Sequence, residues 1–406
     1  MHCSMAESVR SSRTQVLVVG AGPVGLIAAL RLRDQGIAVR IIERQPSDAM
    51  HTFPVVLHPA TLRILSSLGL TAALFWRGRP VSRLAIYTDG ERRAVLDLPT
   101  VAGISPGALT LPQDILRKTL VNALTARGVA IEWGTELLVL AQDEARVRCR
   151  LRAGESSSAT AAADELIEAE FVIGADGYES SVRRALGIEL VDHGALQSYV
   201  FFDAATPRAG SEAQLVLLED SANAVYPVQG SFARFSFQLV TALHRPPDLS
   251  ALKELMAARL PFYGEPVQSV EWSGVAEFRR ALVERFGVGR VWLAGEAAHL
   301  TGPLGTQSIN VGIDEASELA LRVGDYLRHP TRDHFGLDYE SKRTQQWRQL
   351  LGLDAPAALG PRSVGWALEN LNRLLPSLPA SGSDLDDLLD QLRLTPSSRP
   401  RSGARP

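Results

Sequence analysis

The stretch QVLVVGAGPVGLIAALRLRDQGIAVRIIE, residues 15–43, decides the fold. It places Gly20, Gly22 and Gly25 in the spacing G-x-G-x-x-G, between a Val-rich apolar run and an apolar helix pattern. In such a turn the first glycine lets the strand turn sharply, the second lets the backbone approach a pyrophosphate, and the third lets the helix lie close to the strand. Glu43 follows about 20 residues later, where a strand end brings a carboxylate to a ribose hydroxyl. The stretch therefore predicts a dinucleotide-binding β-α-β unit.

Two other interpretations of this stretch are disfavoured. Arg10 and Arg13 precede an uncharged run over residues 14–30, as they would in a signal peptide. That run contains three glycines and Pro23, lacks a small-residue cleavage site and continues into a charged amphipathic helix, so a signal peptide is a poor match. The same glycines and the short length disfavour a transmembrane helix.

The composition describes an ordinary globular protein. The 406 residues suffice for two domains, or for one large α/β domain with an inserted sheet, and 46% of them are hydrophobic. A formal net charge of −3 gives no reason to expect nucleic acid as a partner. Cys3 and Cys149 are the only cysteines, and the eight histidines show no metal-ligand spacing, so we expect no bound metal. No further apolar run long enough to span a bilayer follows, which predicts a cytoplasmic protein without a membrane span.

A second layer of structure is indicated between the α/β segments. Two strand-like pieces are joined at Asp89–Gly90, a dipeptide typical of a tight hairpin turn. Residues 188–286 contain alternating, aromatic-rich pieces that predict an antiparallel sheet with one buried face. In the piece ARFSFQLV the aromatic side chains share one face and Arg234 lies on the other. Candidates for the lining of a substrate pocket are Phe201, Tyr226, Phe235 and Trp272, although core packing is the commoner role for each of them singly.

Three separated stretches share one pattern, a strand that ends in glycine-rich turn chemistry before a helix. They are GAGPVG at residues 20–25, GADG at 174–177 and GEAAHLTGPLG at 295–305. In their order and spacing they resemble the FAD-dependent aromatic hydroxylases, which are single-component flavoprotein monooxygenases with the p-hydroxybenzoate hydroxylase fold. The resemblance extends roughly over residues 13–350 and implies an α/β protein. It implies an FAD-binding Rossmann-like (GR2-type) domain with an inserted antiparallel-sheet substrate domain.

The resemblance also implies a division of the chain. The expected FAD-binding domain is discontinuous, and its parts are residues 13–79, 110–187 and 287–350. The expected substrate-binding β-sheet domain comprises residues 80–109 and 188–286. Residues 351–394 are expected to form a C-terminal helical segment. Composition predicts disorder for residues 1–12 and 395–406, which are rich in polar residues.

The FAD contacts that the resemblance implies can be assigned residue by residue. They are Gly20, Gly22, Pro23, Gly25, Glu43, Arg44, Gln113, Asp176, Gly177, Gly295, Glu296, Pro303, Gly305 and Asn310. In the family, the Asp-Gly pair at 176–177 serves both FAD and a passing nicotinamide cofactor, and Pro303 would lie near the flavin C4a. The helix from Asn310 would point its N-terminus at the flavin N1–C2=O edge, where its dipole stabilises negative charge.

The sequence departs from the family pattern at the third motif. Glu296 stands where the family usually has Asp, one methylene shorter. The usual Pro-x-Gly-Gly-x-Gly loop reads PLGTQS, so that Thr306 and Ser308 replace two glycines. Side chains at these positions would crowd the flavin ring or force a different loop path.

The resemblance implies an FAD-dependent monooxygenase that uses NAD(P)H and O₂. Through a flavin C4a-hydroperoxide it would hydroxylate or epoxidise an aromatic or polyketide-like molecule of secondary metabolism. Alternatives are an FAD-dependent oxidase or Baeyer–Villiger-type tailoring enzyme, a flavin-binding accessory protein, and an NAD-dependent dehydrogenase without flavin. Residue type alone nominates His51, His58, His193 and His299 as general bases. The oligomeric state stays open.

Overall fold

The computed structural model describes residues 10–46, 54–98, 107–154, 164–207, 210–241, 247–330, 336–354 and 365–394. The strands in these residues are β1 Arg10–Val19, β2 Val39–Glu43, β3 Pro54–Leu57, β4 Arg79–Val81, β5 Arg83–Thr88, β6 Glu91–Asp97, β7 Ala108–Pro112, β8 Ile131–Trp133, β9 Thr135–Gln142, β10 Val147–Ala153, β11 Asp164–Gly174, β12 Leu190–Asp192, β13 Gln197–Ala205, β14 Glu212–Leu217, β15 Ala222–Val228, β16 Phe232–Leu239, β17 Val270–Phe278, β18 Ala281–Val283, β19 Gly287–Val288, β20 Val291–Leu293 and β21 His299–Leu300. The α-helices are α1 Pro23–Asp34, α2 Pro59–Ser67, α3 Thr71–Phe75, α4 Gln113–Ala126, α5 Ser181–Ala185, α6 Leu249–Arg259, α7 Gln307–Arg328, α8 Leu337–Leu350, α9 Gly365–Glu369, α10 Leu371–Leu374 and α11 Ser383–Gln391. Two 3₁₀ turns occupy Gly295–Ala297 and Leu375–Ser377.

A mainly parallel sheet forms the first layer, in the order β19-β20-β11-β1-β2-β8. Strands β20, β11, β1, β2 and β8 are parallel, while β10 and β9 extend the sheet antiparallel from β11. The central strand β1 is covered on both faces, so its residues 16–18 are fully buried, as a near-continuous apolar run requires.

The prediction that residues 1–12 are disordered is wrong for residues 10–12, which pair with β11, while residues 1–9 and 395–406 lie outside the described residues.

The glycine turn after β1 has the geometry that its spacing predicts. Gly20 adopts φ +103°, a left-handed conformation that favours glycine, at the point where the chain leaves the strand. A Cβ at Gly25 would overlap the carbonyl oxygen of Gly20, so only glycine lets α1 lie this close to β1. The local sequence thus places the N-terminus of α1 at the carboxyl edge of the sheet.

A seven-stranded sheet, in the order β17-β13-β16-β15-β14-β5-β6, forms the second layer. Asp89 and Gly90 turn the β5–β6 hairpin with φ +53° and +74°, which confirms the predicted hairpin. The expectation of one buried face is wrong, because both faces of β16 are covered. Phe235 lies in a buried hydrophobic cluster that includes Leu252 of α6, and Arg234 on the opposite face is also buried.

The C-terminal segment folds back onto the first layer. Asp384 of α11 accepts hydrogen bonds from both terminal nitrogens of Arg63 on α2, at 2.9 and 2.5 Å. Gln307, the first residue of α7, donates from its side-chain amide to the backbone oxygens of Leu378 and Ala380. No helix in the described residues is both long and apolar enough to cross a membrane. The α/β class with a sheet inserted between α/β segments is confirmed, and the inserted sheet is antiparallel except for the parallel pair of β5 and β14.

Candidate cofactor and substrate site

Two cavities meet between the sheets, and the first lies at the carboxyl ends of β1, β2, β11 and β20. Open α/β sheets bind ligands at this edge. Nine of the residues assigned to FAD line this first cavity: Gly20, Gly22, Pro23, Glu43, Arg44, Gln113, Asp176, Gly177 and Glu296. Pro303 lines the second cavity. Gly25, Gly295, Gly305 and Asn310 lie behind these surfaces, packed against other parts of the chain.

The N-terminus of α1 is suited to an anion. A Cβ built at Gly22 meets no atom within 4 Å, so the backbone there borders open space that a ligand can approach closely. Pro23 opens the helix, no side chain caps it, and its first turn carries no acidic residue. The free N–H groups and the helix dipole therefore point into the first cavity without a competing carboxylate on that turn.

Two of the carboxylates that line the same cavity, Glu43 and Asp176, differ in how far their oxygens are hydrogen-bonded. Glu43 accepts hydrogen bonds from the backbone N–H of Ala21 at 2.8 Å and of Gln45 at 3.0 Å, so it braces the glycine turn. Asp176 Oδ2 accepts from the backbone N–H and hydroxyl of Ser181, at 2.7 and 2.8 Å. Asp176 Oδ1, by contrast, is buried without a partner among the described residues. Buried polar atoms are normally hydrogen-bonded, and a hydroxyl of a bound dinucleotide would donate the hydrogen bond that Asp176 Oδ1 lacks. The residues present therefore fit FAD.

The cations of the first cavity include two that sequence reasoning missed, Arg117 and Arg184. Arg44, Arg117 and Arg184 line it. Arg117 is 5% exposed, donates to the backbone oxygen of Ala21 at 3.3 Å and lies over the ring of Trp133. It follows Gln113 by four residues on α4 and so shares its face, which was the available signal. A buried guanidinium against the glycine turn adds positive charge where phosphates would bind.

Thr306, in the loop between the 3₁₀ turn and α7, is one of the residues that line the second cavity. Thr306 adopts φ +49°, a left-handed conformation that is costly for a β-branched residue. Its hydroxyl donates to the backbone oxygen of Val56 at 2.8 Å, which ties the loop to β3. A Cβ at Gly305 would overlap the backbone of Pro376, so the loop is clamped from the other side by the C-terminal segment. Thr306 therefore holds the loop in place.

Asn310 holds the same loop from behind. Its Oδ1 accepts from the backbone N–H of His58 at 2.8 Å and from the hydroxyl of Thr61 at 2.7 Å. Its Nδ2 donates to the backbone oxygens of Val56 and Thr306, both at 2.8 Å. With 1% exposure, Asn310 braces the loop from the protein side instead of projecting into a cavity.

The second cavity has a volume of about 620 Å³, within the range usual for small-molecule sites. Its lining includes Val55, Val56, Phe201, Tyr226, Arg234, Ser236, Phe278, Pro303 and Leu304. Of the predicted pocket aromatics, Phe201 and Tyr226 line it. Trp272 lies beside the cavity lining, since the centroid of its ring is 5.2 Å from the guanidinium of the lining residue Arg234. Phe235, predicted as a pocket residue, does not line this cavity and packs instead in a buried cluster that includes Leu252 of α6.

The polar end of the second cavity is a buried ion pair. Arg234 donates to both carboxylate oxygens of Asp203, at 2.7 and 2.5 Å, and its guanidinium lies 5.7 Å from the ring centroid of Phe201. Burial raises the pKa of the neighbouring Tyr226, so its phenol stays neutral. This end presents polar groups in an otherwise apolar chamber.

The two cavities share four lining residues, Gln113, Glu296, Ser308 and Ile309. Glu296 lies in the 3₁₀ turn, surrounded by protein, yet its side chain is exposed to the cavities. Burial raises the pKa of Glu296, and the nearby His299 opposes this in part. Two of the three departures from the family pattern, Glu296 and Ser308, therefore lie where the cavities join.

Of the histidines predicted as general bases, the three in the described residues do not line either cavity. His58 is fully buried on β3's side of the loop, and its Nε2 lies 2.7 Å from the oxygen of Gly305. His299 is fully buried between Glu315, 2.8 Å from its Nε2, and the stacked ring of Trp347. His193 is half-buried away from the cavity linings, and His51 lies outside the described residues. In the described residues no group of three or more His, Cys, Asp or Glu could hold a metal.

This fold and site define a class of dinucleotide-binding α/β protein with an adjoining substrate chamber. Residues 13–353 match the model of the FAD binding domain family. The chain belongs to that family.

Relatives in this family include two curated monooxygenases. The 6-methylpretetramide 4-monooxygenase of Streptomyces rimosus is 30% identical over 349 residues, which cover 83% of this chain and 60% of the relative. The pentachlorophenol 4-monooxygenase of Sphingobium chlorophenolicum is 27% identical over 353 residues, which cover 84% of this chain and 64% of the relative. The chain thus spans less than two thirds of the length of these two relatives.

Solved structures share the fold. The crystal structure of p-nitrophenol 4-monooxygenase PnpA from Pseudomonas putida superposes with a TM-score of 0.71 at 21% identity, over 96% of this chain and all of that one. The ternary complex of aklavinone-11 hydroxylase with FAD and aklavinone superposes with a TM-score of 0.63 at 22% identity, over 83% and 65% of the two chains.

Proposed function

We propose that this chain is an FAD-dependent monooxygenase that uses NAD(P)H and O₂ to hydroxylate or epoxidise an aromatic or polyketide-like small molecule. The observation that carries the proposal is the junction of the two cavities. A cavity fitted to a dinucleotide opens at Gln113, Glu296, Ser308 and Ile309 into a mostly apolar chamber. A substrate in that chamber would lie next to the reactive end of the cofactor. The relatives named as monooxygenases of 6-methylpretetramide and pentachlorophenol support an aromatic substrate.

In this proposal the chain's residues bind, orient and exclude water. Gly20, Gly22 and the N-terminus of α1 hold the pyrophosphate, while Glu43 and Asp176 accept hydrogen bonds from cofactor hydroxyls. FAD, when bound, supplies the redox chemistry with NAD(P)H and O₂. The aromatic walls at Phe201 and Tyr226 orient the substrate ring and keep water from it. The substrate class and the nicotinamide cofactor are parts of the proposal.

Purified protein tests this function directly. We expect a yellow protein that consumes NADH or NADPH in the presence of a suitable phenol or polycyclic aromatic, with a product heavier by one oxygen atom. Product without added oxygen would favour the oxidase, and ring expansion to an ester or lactone would favour the Baeyer–Villiger reaction. Flavin binding without nicotinamide oxidation on any substrate would favour the accessory protein. A colourless protein would contradict the proposal at its first step.

A further inference from the structure

Four of the described residues line both cavities at once, and Glu296 is the ionisable one among these four. The other three are Gln113, Ser308 and Ile309, which do not titrate. A carboxyl group at this junction faces whatever occupies either cavity. The exposed surface of the Glu296 side chain borders the cavities, so a cofactor bound there would displace the water around the carboxyl group.

A rigid support presents Glu296 at this point. The 3₁₀ turn Gly295–Ala297 is anchored by Glu315, whose Oε2 accepts from the backbone N–H of Gly295 at 2.8 Å. Glu315 Oε1 accepts from Trp347 Nε1 at 2.7 Å, and the residue is fully buried. Burial acts to raise the pKa of Glu315, but His299, Arg343 and the Gly295 bond outweigh it, so that its pKa is lowered. Glu315 is therefore an ionised anchor behind the turn.

The charges that face Glu296 come from several elements. His299, on the same segment as Glu296, favours the ionised form of Glu296. The ionised Glu315 of α7 holds the turn that carries Glu296, through the backbone N–H of Gly295. The ionisable side chains that line the first cavity with Glu296 are Glu43, Arg44, Asp114, Arg117, Glu136, Asp176, Glu179 and Arg184. Those that line the second cavity are Tyr178, Tyr226, Arg234, Glu277 and Arg279, of which Arg234 is paired with Asp203. The desolvation of Glu296 by the protein around the cavities outweighs these charges and raises its pKa, so it retains its proton to a higher pH than a glutamate on the outer surface does.

We propose that Glu296 exchanges a proton with solvent when FAD in the first cavity is reduced, and so couples the redox state of the cofactor to pH. The inference rests on the proposed binding of FAD in that cavity. Two electrons and one proton on the flavin ring leave one added negative charge. Glu296, ionised before reduction, responds by taking one proton from solvent and forming one O–H bond, and no other bond changes. Like charge nearby favours the neutral form of a carboxyl group, which supplies the driving force.

The coupling has a measurable consequence. In the pH range where Glu296 is ionised beside oxidised FAD and protonated beside reduced FAD, two protons accompany two electrons. Outside that range, at pH values where reduced flavin carries a single added proton, one proton accompanies two electrons. Because a tenfold change in an equilibrium constant corresponds to about 30 mV for a two-electron couple, the midpoint potential should change by about 60 mV per pH unit inside the range and about 30 mV outside it. The steeper segment should lie above the usual pKa range of glutamate.

The experiment is a potentiometric titration of the FAD-loaded protein at a series of pH values. We expect the steeper segment in the wild-type protein and its loss in Glu296→Gln, which resembles the protonated carboxyl in shape but cannot titrate. Glu284→Gln is the matched control, because Glu284 is exposed and lines neither cavity. It should keep the steeper segment. A Glu296→Gln protein that keeps the segment, or a control that loses it, would overturn the inference.

A second measurement, made on the wild-type protein alone, tests the inference if Glu296→Gln does not retain FAD. Proton uptake on reduction of the wild-type protein, followed with a pH indicator in weak buffer, should exceed one proton per FAD within the steeper segment. Uptake of one proton throughout would overturn the inference even where FAD binds normally. Absence of flavin absorbance would instead contradict the proposed function, so the two failures are distinguishable.

Discussion

Burial of His58 predicts a specific loss of stability in acid. Its Nε2–H donates to the oxygen of Gly305 at 2.7 Å, while its Nδ1 is buried without a partner among the described residues. A second proton at Nδ1 would therefore place an unpaired charge in the interior. Burial lowers the pKa of His58 from 6.5 to about 4, although the Gly305 carbonyl opposes this. The imidazole is neutral in the folded protein.

The sign and size of the effect follow from this shift. Between pH 6.5 and about 4 the unfolded chain binds a proton at His58 and the folded chain does not. The free energy of unfolding therefore decreases as the pH falls through this window. At pH 5 the loss relative to pH 7.5 is about 2 kcal/mol, and it approaches roughly 3 kcal/mol near pH 4.

Urea unfolding of the wild-type protein and His58→Gln at several pH values measures this contribution. Glutamine retains an amide donor for the Gly305 oxygen but does not titrate, so the wild-type protein should lose about 2 kcal/mol more than the variant between pH 7.5 and 5. Above pH 7.5 the two curves should run parallel, which serves as the internal control. Parallel curves over the whole range would refute the assignment of His58 as a buried neutral group.

Three further changes test the site. Gly22→Val should abolish retention of FAD, measured as flavin absorbance after purification, and should leave the melting temperature of the FAD-free protein unchanged, because a Cβ there borders the cavity and meets no protein atom within 4 Å. Gly25→Ala should instead lower stability by at least roughly 1–3 kcal/mol, since its Cβ overlaps the Gly20 carbonyl, and equal melting temperatures of the two variants would contradict this contrast. Arg234→Met should cost roughly 3–5 kcal/mol in unfolding experiments by leaving Asp203 unpaired, and Asp203→Asn in the same chain should restore part of the loss. No recovery in the double variant would show that the ion pair is not the source of the cost.

Much of the first layer could be predicted from local sequence. The glycine spacing at residues 20–25 has steric requirements that are met within one turn, so the β-α-β unit follows from the residues themselves. The Asp89–Gly90 hairpin follows likewise from the backbone conformations that this dipeptide adopts. The order of three glycine-rich strand ends indicated the family, which the match over residues 13–353 confirms. These are features in which the residues that decide the structure are neighbours in the chain.

Tertiary structure decided which side chains meet. Alternation in β16 identified two faces but not that Arg234, rather than Phe235, faces the chamber, because both faces are buried against different partners. Asn310 and His58 brace the loop through contacts some 250 residues apart in sequence. The clamp of the C-terminal segment on Gly305 joins Gly305 and Pro376, which also lie far apart in sequence, though less far than Asn310 and His58 do. The sequence by itself determined the dinucleotide turn, since steric exclusion acts between neighbouring residues. Burial, hydrogen-bond satisfaction and the junction at Glu296 depend on long-range packing, which only the folded chain defines.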